Sequence, residues 1–153
     1  MTRRAQSLGV DSIKLLPPGP VGKSSPGAAY GDALVVGPDD WAIRDAVTKL
    51  EAAGHRVHRC SDSAEAAFPC NALVAGRGCP LDRHNVAVVL DVRRQPRSDL
   101  ALGEFGAVCG LRAGLPLVTA GVSETGGLPM WATQVPFDGD VVTTCEDVMK
   151  ATR

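Results

Sequence analysis

Three of the five cysteines, Cys60, Cys70 and Cys79, lie close together in the sequence, and His58 and His84 flank them. Thiolates and imidazoles are the usual protein ligands of Zn²⁺, and thiolates also hold iron–sulfur clusters. Three cysteines and one histidine would complete a tetrahedral zinc site. The spacings match no paired Cys-x2-Cys motif, however, and free cysteine is also a common small core residue. Two interpretations stay open: a metal or redox centre, and a set of inert thiols.

Carboxylates that end two apolar runs form a second candidate site. Asp39 and Asp40 follow the run 33–36, and Asp91 ends the run 86–90. In a parallel α/β sheet, ligands and reactive groups collect just beyond the carboxyl ends of the strands. Asp91 is therefore expected at a position where chemistry takes place. The sequence contains no Gly-x-Ser-x-Gly, no Gly-x-Gly-x-x-Gly and no metalloprotease helix motif.

The composition is that of one globular domain with a tail. The chain has 153 residues, 44% of them hydrophobic, and a formal net charge of -1, which disfavours nucleic acid or an anionic membrane as partner. No apolar run approaches the ~20 residues of a membrane span, and no signal peptide is evident. A cytoplasmic location is the default expectation. An odd number of cysteines without an export signal favours reduced thiols or metal ligands over disulfides.

The elements that must position these residues can be predicted from apolar periodicity. Residues 1–31 are rich in proline and glycine and predict a flexible tail, so the domain is expected over 32–153. A strand at 33–36 precedes a helix that Asp39 and Asp40 can cap, and a polar strand at 55–59 completes a parallel βαβ unit.

Further strands are predicted at 86–91, 115–119 and 131–135, with a short helix at 63–68. A helix from residue 98 or 99 to about 113 would place Leu102, Phe105 and Cys109 on one face, and Cys109 and Cys145 are predicted to be core residues. A threonine–glutamate capping box at 143–146 predicts the start of the last helix.

Several of these segments resemble the receiver domain of response regulators. The run Leu34 to Val47, followed by Leu50 to Val57, looks like the opening of such a domain, and Val88 to Arg93 is similar to its phospho-acceptor strand. Leu115 to Ala120 is similar to its fourth strand. The resemblance implies a flavodoxin-like, doubly wound α/β fold with a five-stranded parallel sheet in the order 2-1-3-4-5.

The resemblance also assigns roles to individual residues. Asp91 matches the phospho-acceptor, Thr119 the switch hydroxyl, and Asp39 one acid of the pair that would hold Mg²⁺ together with Asp91. Two positions depart from the family pattern, since Pro38 stands where an acid is expected and Val135 where a lysine is expected. Without these groups, aspartyl phosphorylation should be impaired or absent. Asp91 would then be satisfied by water or by the backbone at residues 39–40.

The interval from Asp39 to Asp91 is longer than a receiver needs, and the excess, at about 68–84, carries Cys70 and Cys79. The first functional hypothesis is an atypical, stand-alone receiver-like signalling module that binds a protein partner, with homodimerisation also compatible. It would be no enzyme beyond residual self-phosphorylation at Asp91. The alternative is a metal-binding or redox-sensing protein that uses Cys60, Cys70 and Cys79 to hold Zn²⁺ or an iron–sulfur cluster.

Overall fold

Five parallel strands form the centre of the fold in a computed structural model that describes residues 30–62, 70–74, 76–95, 99–121 and 128–153. The strand order is β2-β1-β3-β4-β5, which confirms the predicted flavodoxin-like arrangement. The strands and helices are β1 (Asp32–Val36), α1 (Asp40–Ala52), β2 (Val57–His58), α2 (Pro80–Arg83), β3 (Val86–Val92), α3 (Phe105–Arg112), β4 (Leu117–Ala120), β5 (Ala132–Val135) and α4 (Val141–Ala151). The predicted helix at 63–68 and almost all of the predicted tail lie outside the described residues.

Strand β3 is the central strand and is buried along nearly its whole length. Helices cover both faces of a doubly wound sheet, which is why its strands read as continuous apolar runs. Helices α1 and α4 pack on one face around Ile43, Leu50 and Met149, and α3 packs on the other face around Leu34 and Val89. Cys145 is fully buried in the first of these clusters, as predicted.

Helix α3 differs from the prediction in both its start and its orientation. A 3-10 turn at Leu102–Glu104 precedes it, and its buried residues are Gly106, Ala107 and Gly110. The assignment of Cys109 to the core was wrong, because Cys109 is exposed, as are Leu102 and Phe105. The small residues face the sheet because the helix lies too close for side chains there: a Cβ built on Gly106 would lie 2.6 Å from Cγ1 of Val36.

The start of α4 also differs from the prediction. The N-cap is Asp140, whose carboxylate accepts hydrogen bonds from the backbone N–H of Thr143 at 3.0 Å and from its hydroxyl at 2.6 Å. These bonds lower the pKa of Asp140. The predicted capping box at Thr143 and Glu146 was therefore wrong, because aspartate three residues earlier already caps the helix.

The connection between β2 and β3 contains, among its described residues, a 3-10 turn at Asn71–Leu73 and the four-residue helix α2. Strand β2 is itself only two residues long, shorter than the predicted segment 55–59. A cavity lies between the described part of this connection and α3. None of the helices among the described residues has the length and apolar character that a membrane span requires.

Candidate cysteine metal centre

Four cysteines line one cavity between α3 and the connection that follows β2. Cys60, Cys70, Cys79 and Cys109 all contribute to its wall, and its volume is about 470 Å³. The prediction brought the first three together as candidate ligands, and the structure places all three at this cavity. Cys109, predicted to be a core residue, joins them from the exposed side of α3. The rest of the wall is mainly apolar and includes Leu81, Leu102 and Phe105.

Cys60 is fixed to the chain around Cys70 by hydrogen bonds. It follows β2, and its carbonyl accepts a hydrogen bond from the backbone N–H of Asn71 at 2.6 Å. Arg77 donates to Oδ2 of Asp62 at 2.6 Å and to Oδ1 of Asn71 at 3.3 Å, which joins the two sides of the connection. These contacts hold Cys60 and Cys70 on the same rim of the cavity.

Cys79 is oriented by a glycine turn and a helix start. Gly76 and Gly78 adopt φ angles of 82° and 78°, in the left-handed region that glycine enters without a steric penalty. Cys79 then takes the N-cap position of α2, and its carbonyl accepts a hydrogen bond from Asp82 at 3.1 Å. Pro80 at the first helical position suits this start, because its missing N–H would have no intrahelical partner.

Gly106 brings α3 close to Cys60. A Cβ built on Gly106 would lie 2.7 Å from Sγ of Cys60, so only glycine leaves space for the sulfur. Cys109 lies three residues further on, and residues three apart share one side of a helix. The same turn of α3 thus accommodates one thiol and supplies another.

The charge state of Cys60 depends on what occupies the cavity. Burial, together with the smaller effect of the neighbouring thiols of Cys79, Cys109 and Cys70, raises the pKa of the Cys60 thiol to about 12. An unaided Cys60 is therefore a neutral thiol rather than a reactive thiolate. A metal cation would supply the positive charge that stabilises the thiolate, and its binding would release the proton.

The separation of the sulfurs bears on which metal would fit. Among the described residues, no three cysteine sulfurs lie within 4.8 Å of one another. Zinc bound by four thiolates at ~2.3 Å holds its sulfurs about 3.8 Å apart. An iron–sulfur cluster distributes its thiolates over two or four irons, so its ligands are more widely spaced. The cysteines among the described residues therefore do not form a preassembled ligand set for a single zinc ion.

Asp91 lies in a different environment from the one a phospho-acceptor needs. It has 0% exposure, and Nε of Arg93 lies 3.3 Å from its Oδ2 and 2.5 Å from Oε1 of Glu104, which also has 0% exposure. The second oxygen of Glu104 accepts a hydrogen bond from the backbone N–H of Ala101 at 2.6 Å. Asp91 is thus paired with Arg93, and not with the backbone at residues 39–40 as the sequence suggested.

The single guanidinium of Arg93 faces two carboxyl groups, those of Asp91 and Glu104. If both carboxyl groups were ionised, one buried negative charge would remain without a partner. Burial and the adjacent Glu104 together raise the pKa of Asp91 to about 8, against the opposing effect of Arg93. With Asp91 protonated, Arg93 and Glu104 balance each other and the buried group is neutral overall. A protonated, shielded carboxyl is a poor nucleophile toward phosphorus.

Of the other receiver-like residues, Thr119 lies beside Asp91 in the sheet, and Asp39 lies at the start of α1. Thr119 pairs with Asp91 across β3 and β4, and its buried hydroxyl makes no hydrogen bond to the described residues. Asp39 occupies the N-cap position of α1 without a side-chain cap bond, and Asp40 pairs with Arg59 at 2.9 Å. No group of three ligand atoms within 4.8 Å includes Asp39 or Asp91 in the part of the chain described. Magnesium binding by these two residues stays a prediction.

Comparison with protein-family models, with curated proteins and with solved structures found no match to this chain. The receiver resemblance therefore stays a prediction, and the chemistry of the site is argued from its geometry.

Sequence reasoning missed three residues of these sites, Cys109, Arg93 and Glu104. Cys109 was missed because the apolar pattern of its helix led to its assignment as a core residue, whereas the structure leaves it exposed. The glycines at 103, 106 and 110 were the available signal, because a glycine face on a helix indicates close packing and leaves the larger residues on the other side. Arg93 and Glu104 are 11 positions apart, and nothing local in the sequence pairs them.

Proposed function

We propose that this chain binds an iron–sulfur cluster through Cys60, Cys70, Cys79 and Cys109 and acts as a redox- or metal-responsive protein. The observation that carries the proposal is the convergence of four thiols on one cavity from the end of β2, the connection after it and α3. Thiolates in a partly apolar enclosure are the usual ligands and surroundings of such clusters.

The response would arise from the way the cysteines join separate elements. Cys70 and Cys79 belong to a connection whose described residues are largely exposed, with Leu73 65% exposed. A metal centre would crosslink this connection to β2 and α3, and metal-binding free energy would then contribute to its order. Loss of the centre would release the connection and change the surface of this face. A cytoplasmic location, where thiols remain reduced, belongs to the same proposal.

The test is anaerobic reconstitution with ferrous iron and sulfide, followed by iron and sulfide analysis and a visible spectrum. We expect equal amounts of iron and acid-labile sulfide and a broad thiolate-to-iron absorption, both lost in Cys79→Ser. Cys145→Ala is the matched control, since Cys145 lies in the other core cluster and should leave the spectrum unchanged. If the protein instead contains stoichiometric zinc and shows no visible absorption, the metal of the centre is zinc. A protein that takes up neither metal, or a Cys145→Ala variant that loses the spectrum as fully as Cys79→Ser, would overturn the proposal.

A second candidate function is a receiver-like module that binds a protein partner without phosphorylation. It is favoured by the burial of Asp91 against Arg93 and Glu104, which shields the carboxyl group from a phosphoryl donor. Incubation with acetyl phosphate and Mg²⁺ should then give no phosphate mass gain. A gain that disappears in Asp91→Asn would show that phosphorylation persists and would refute this version.

A further inference from the structure

A second cluster of metal-ligand side chains lies outside the lining of the cysteine cavity. It consists of Asp32 at the start of β1, His58 at the end of β2 and His84 directly after α2. One ligand atom from each of the three lies within 4.8 Å of the other two. Sequence reasoning considered His58 and His84 as partners of the cysteines, but neither residue lines the cysteine cavity.

The side chains are close enough for one ion. Nε2 of His58 lies 2.7 Å from Oδ2 of Asp32, and the rings of His58 and His84 stack with their centroids 3.8 Å apart and their planes at 13°. Ligands bound to Zn²⁺ at ~2.0–2.2 Å stand about 3.4 Å from one another. Because the two rings are stacked face to face, at least one of them would have to rotate to direct a nitrogen at the ion, and His84 is exposed and can turn.

The backbone holds the three residues in place independently of any ion. The N–H of Asp32 donates to the carbonyl of Asn85 at 2.9 Å, so the residue after His84 is bound to the start of β1. The N–H of His84 donates to Pro80 at 3.0 Å, which fixes it at the end of α2. His58 is paired with Leu34 of β1 in the sheet register. The cluster is thus a product of the fold rather than of one mobile loop.

We propose that Asp32, His58 and His84 form a surface site for a divalent transition-metal ion of the Zn²⁺ class. Two imidazoles and one carboxylate are suitable ligands for such an ion, and a three-residue set leaves a fourth position open to solvent. The open side borders a cavity of about 410 Å³ that Arg56 and Arg83 also line. Their positive charges oppose a bare cation and favour an anion, such as chloride or a carboxylate, in the open position. The proposal does not depend on the cysteine centre.

The histidines provide a direct probe, because the chain has only three. His55 is buried and pairs with Glu146 at 3.0 Å, on the face covered by α1 and α4, so it serves as an internal control. In proton–carbon correlation spectra of the full chain at pH 7.5, one equivalent of Zn²⁺ should shift the ring signals of His58 and His84 and leave those of His55 unchanged. Calorimetry of the same titration gives the affinity.

Variants separate this site from other zinc binding. His84→Ala, at an exposed position, should fold normally and weaken zinc binding at this site by more than about tenfold. Asp82→Asn removes a nearby exposed carboxylate from α2 and should have no effect. Should Zn²⁺ bind without moving the His58 and His84 signals, the cysteines alone hold it, and the proposal fails while the cysteine centre stands. Equal shifts of all three histidines, or unchanged affinity in His84→Ala, would also overturn it.

Discussion

Gly106 of α3 leaves space for the sulfur of Cys60, since a Cβ at Gly106 would lie 2.7 Å from Sγ. This close approach places the first cysteine of the connection directly against the helix that carries Cys109. The position of a single glycine thus determines whether the four thiols can share one cavity.

Replacing Gly106 by alanine tests this relationship. The added methyl group would meet both Cys60 and Val36, and overpacking of this kind costs about 1–3 kcal/mol, more than the gain of ~1 kcal/mol in helix propensity. We expect a lower free energy of unfolding in urea and a reduced iron content after reconstitution. Gly110→Ala is the control, because its methyl group would meet Val89 of the sheet instead of a cysteine. Equal iron content in the two variants would contradict the role given to Gly106.

Cys109 should be a ligand even though the sequence pattern assigned it to the core. Because Cys109 is exposed, Cys109→Ser should change the stability of the metal-free protein by less than about 0.5 kcal/mol. Its reconstituted iron and visible absorption should nevertheless fall as they do in Cys79→Ser. A Cys109→Ser protein with full absorption would mean that three cysteines and another ligand hold the centre.

Asp91 should make the stability of the metal-free protein depend on pH. Its pKa in the folded protein is raised to about 8, from an ordinary value near 3.8. Between these values the folded state retains a proton that the unfolded state has released, so the free energy of unfolding should decrease as the pH rises from about 4 to 8. The contribution of one group is at most about 1.4 kcal/mol per pH unit.

Urea unfolding of the wild type and of Asp91→Asn between pH 5 and 8 measures this contribution. The asparagine variant should gain stability relative to the wild type as the pH rises, because its amide remains neutral. For Asp147→Asn, at an exposed position on α4, the free energy of unfolding should change with pH as it does in the wild type. A constant difference between Asp91→Asn and the wild type would show that Asp91 is ionised throughout.

We expect Arg93 to be essential for stability, because it supplies the positive charge in the buried group that it forms with Asp91 and Glu104. In Arg93→Met, Glu104 would remain buried without its cation, and an uncompensated buried charge costs about 3–5 kcal/mol. The double variant Arg93→Met/Glu104→Gln should recover most of that loss, since it removes the stranded charge. Thermal and urea unfolding of both variants measure the effect. No recovery in the double variant would indicate that packing around Arg93, rather than charge, is responsible.

The hydrophobic pattern was sufficient to predict most of the strands and a parallel sheet, and the receiver resemblance supplied the strand order that the structure shows. Strand β3 is a continuous apolar run because both of its faces are covered, and Ile43, Ala46 and Leu50 recur at the helical period because one face of α1 is buried. These signals are local, because the apolar or polar character of each residue reflects the burial of its own position. Gly54, after α1, has a φ angle of 91°, as its place beyond the end of a helix suggested.

The same local reasoning was wrong where packing distance decided the outcome. Helix α3 has an apolar stripe of Leu102, Phe105 and Cys109, yet Gly106 and Gly110 face the sheet because the backbones approach too closely for larger residues. The glycines themselves indicated close packing on the sheet, but only the tertiary structure shows that Cys109 is left exposed. The stripe instead became the wall of the cysteine cavity.

By itself, the sequence determined the order of the elements, the parallel sheet and the presence of thiols and carboxylates at the ends of its strands. The tertiary structure decided which of these groups meet. It brought Cys109 to Cys60, Arg93 between Asp91 and Glu104, and His84 against His58 and Asp32. Periodicity reports only whether a position is buried. The partners of a side chain depend on distances between elements far apart in the chain, and those distances are set when the elements pack.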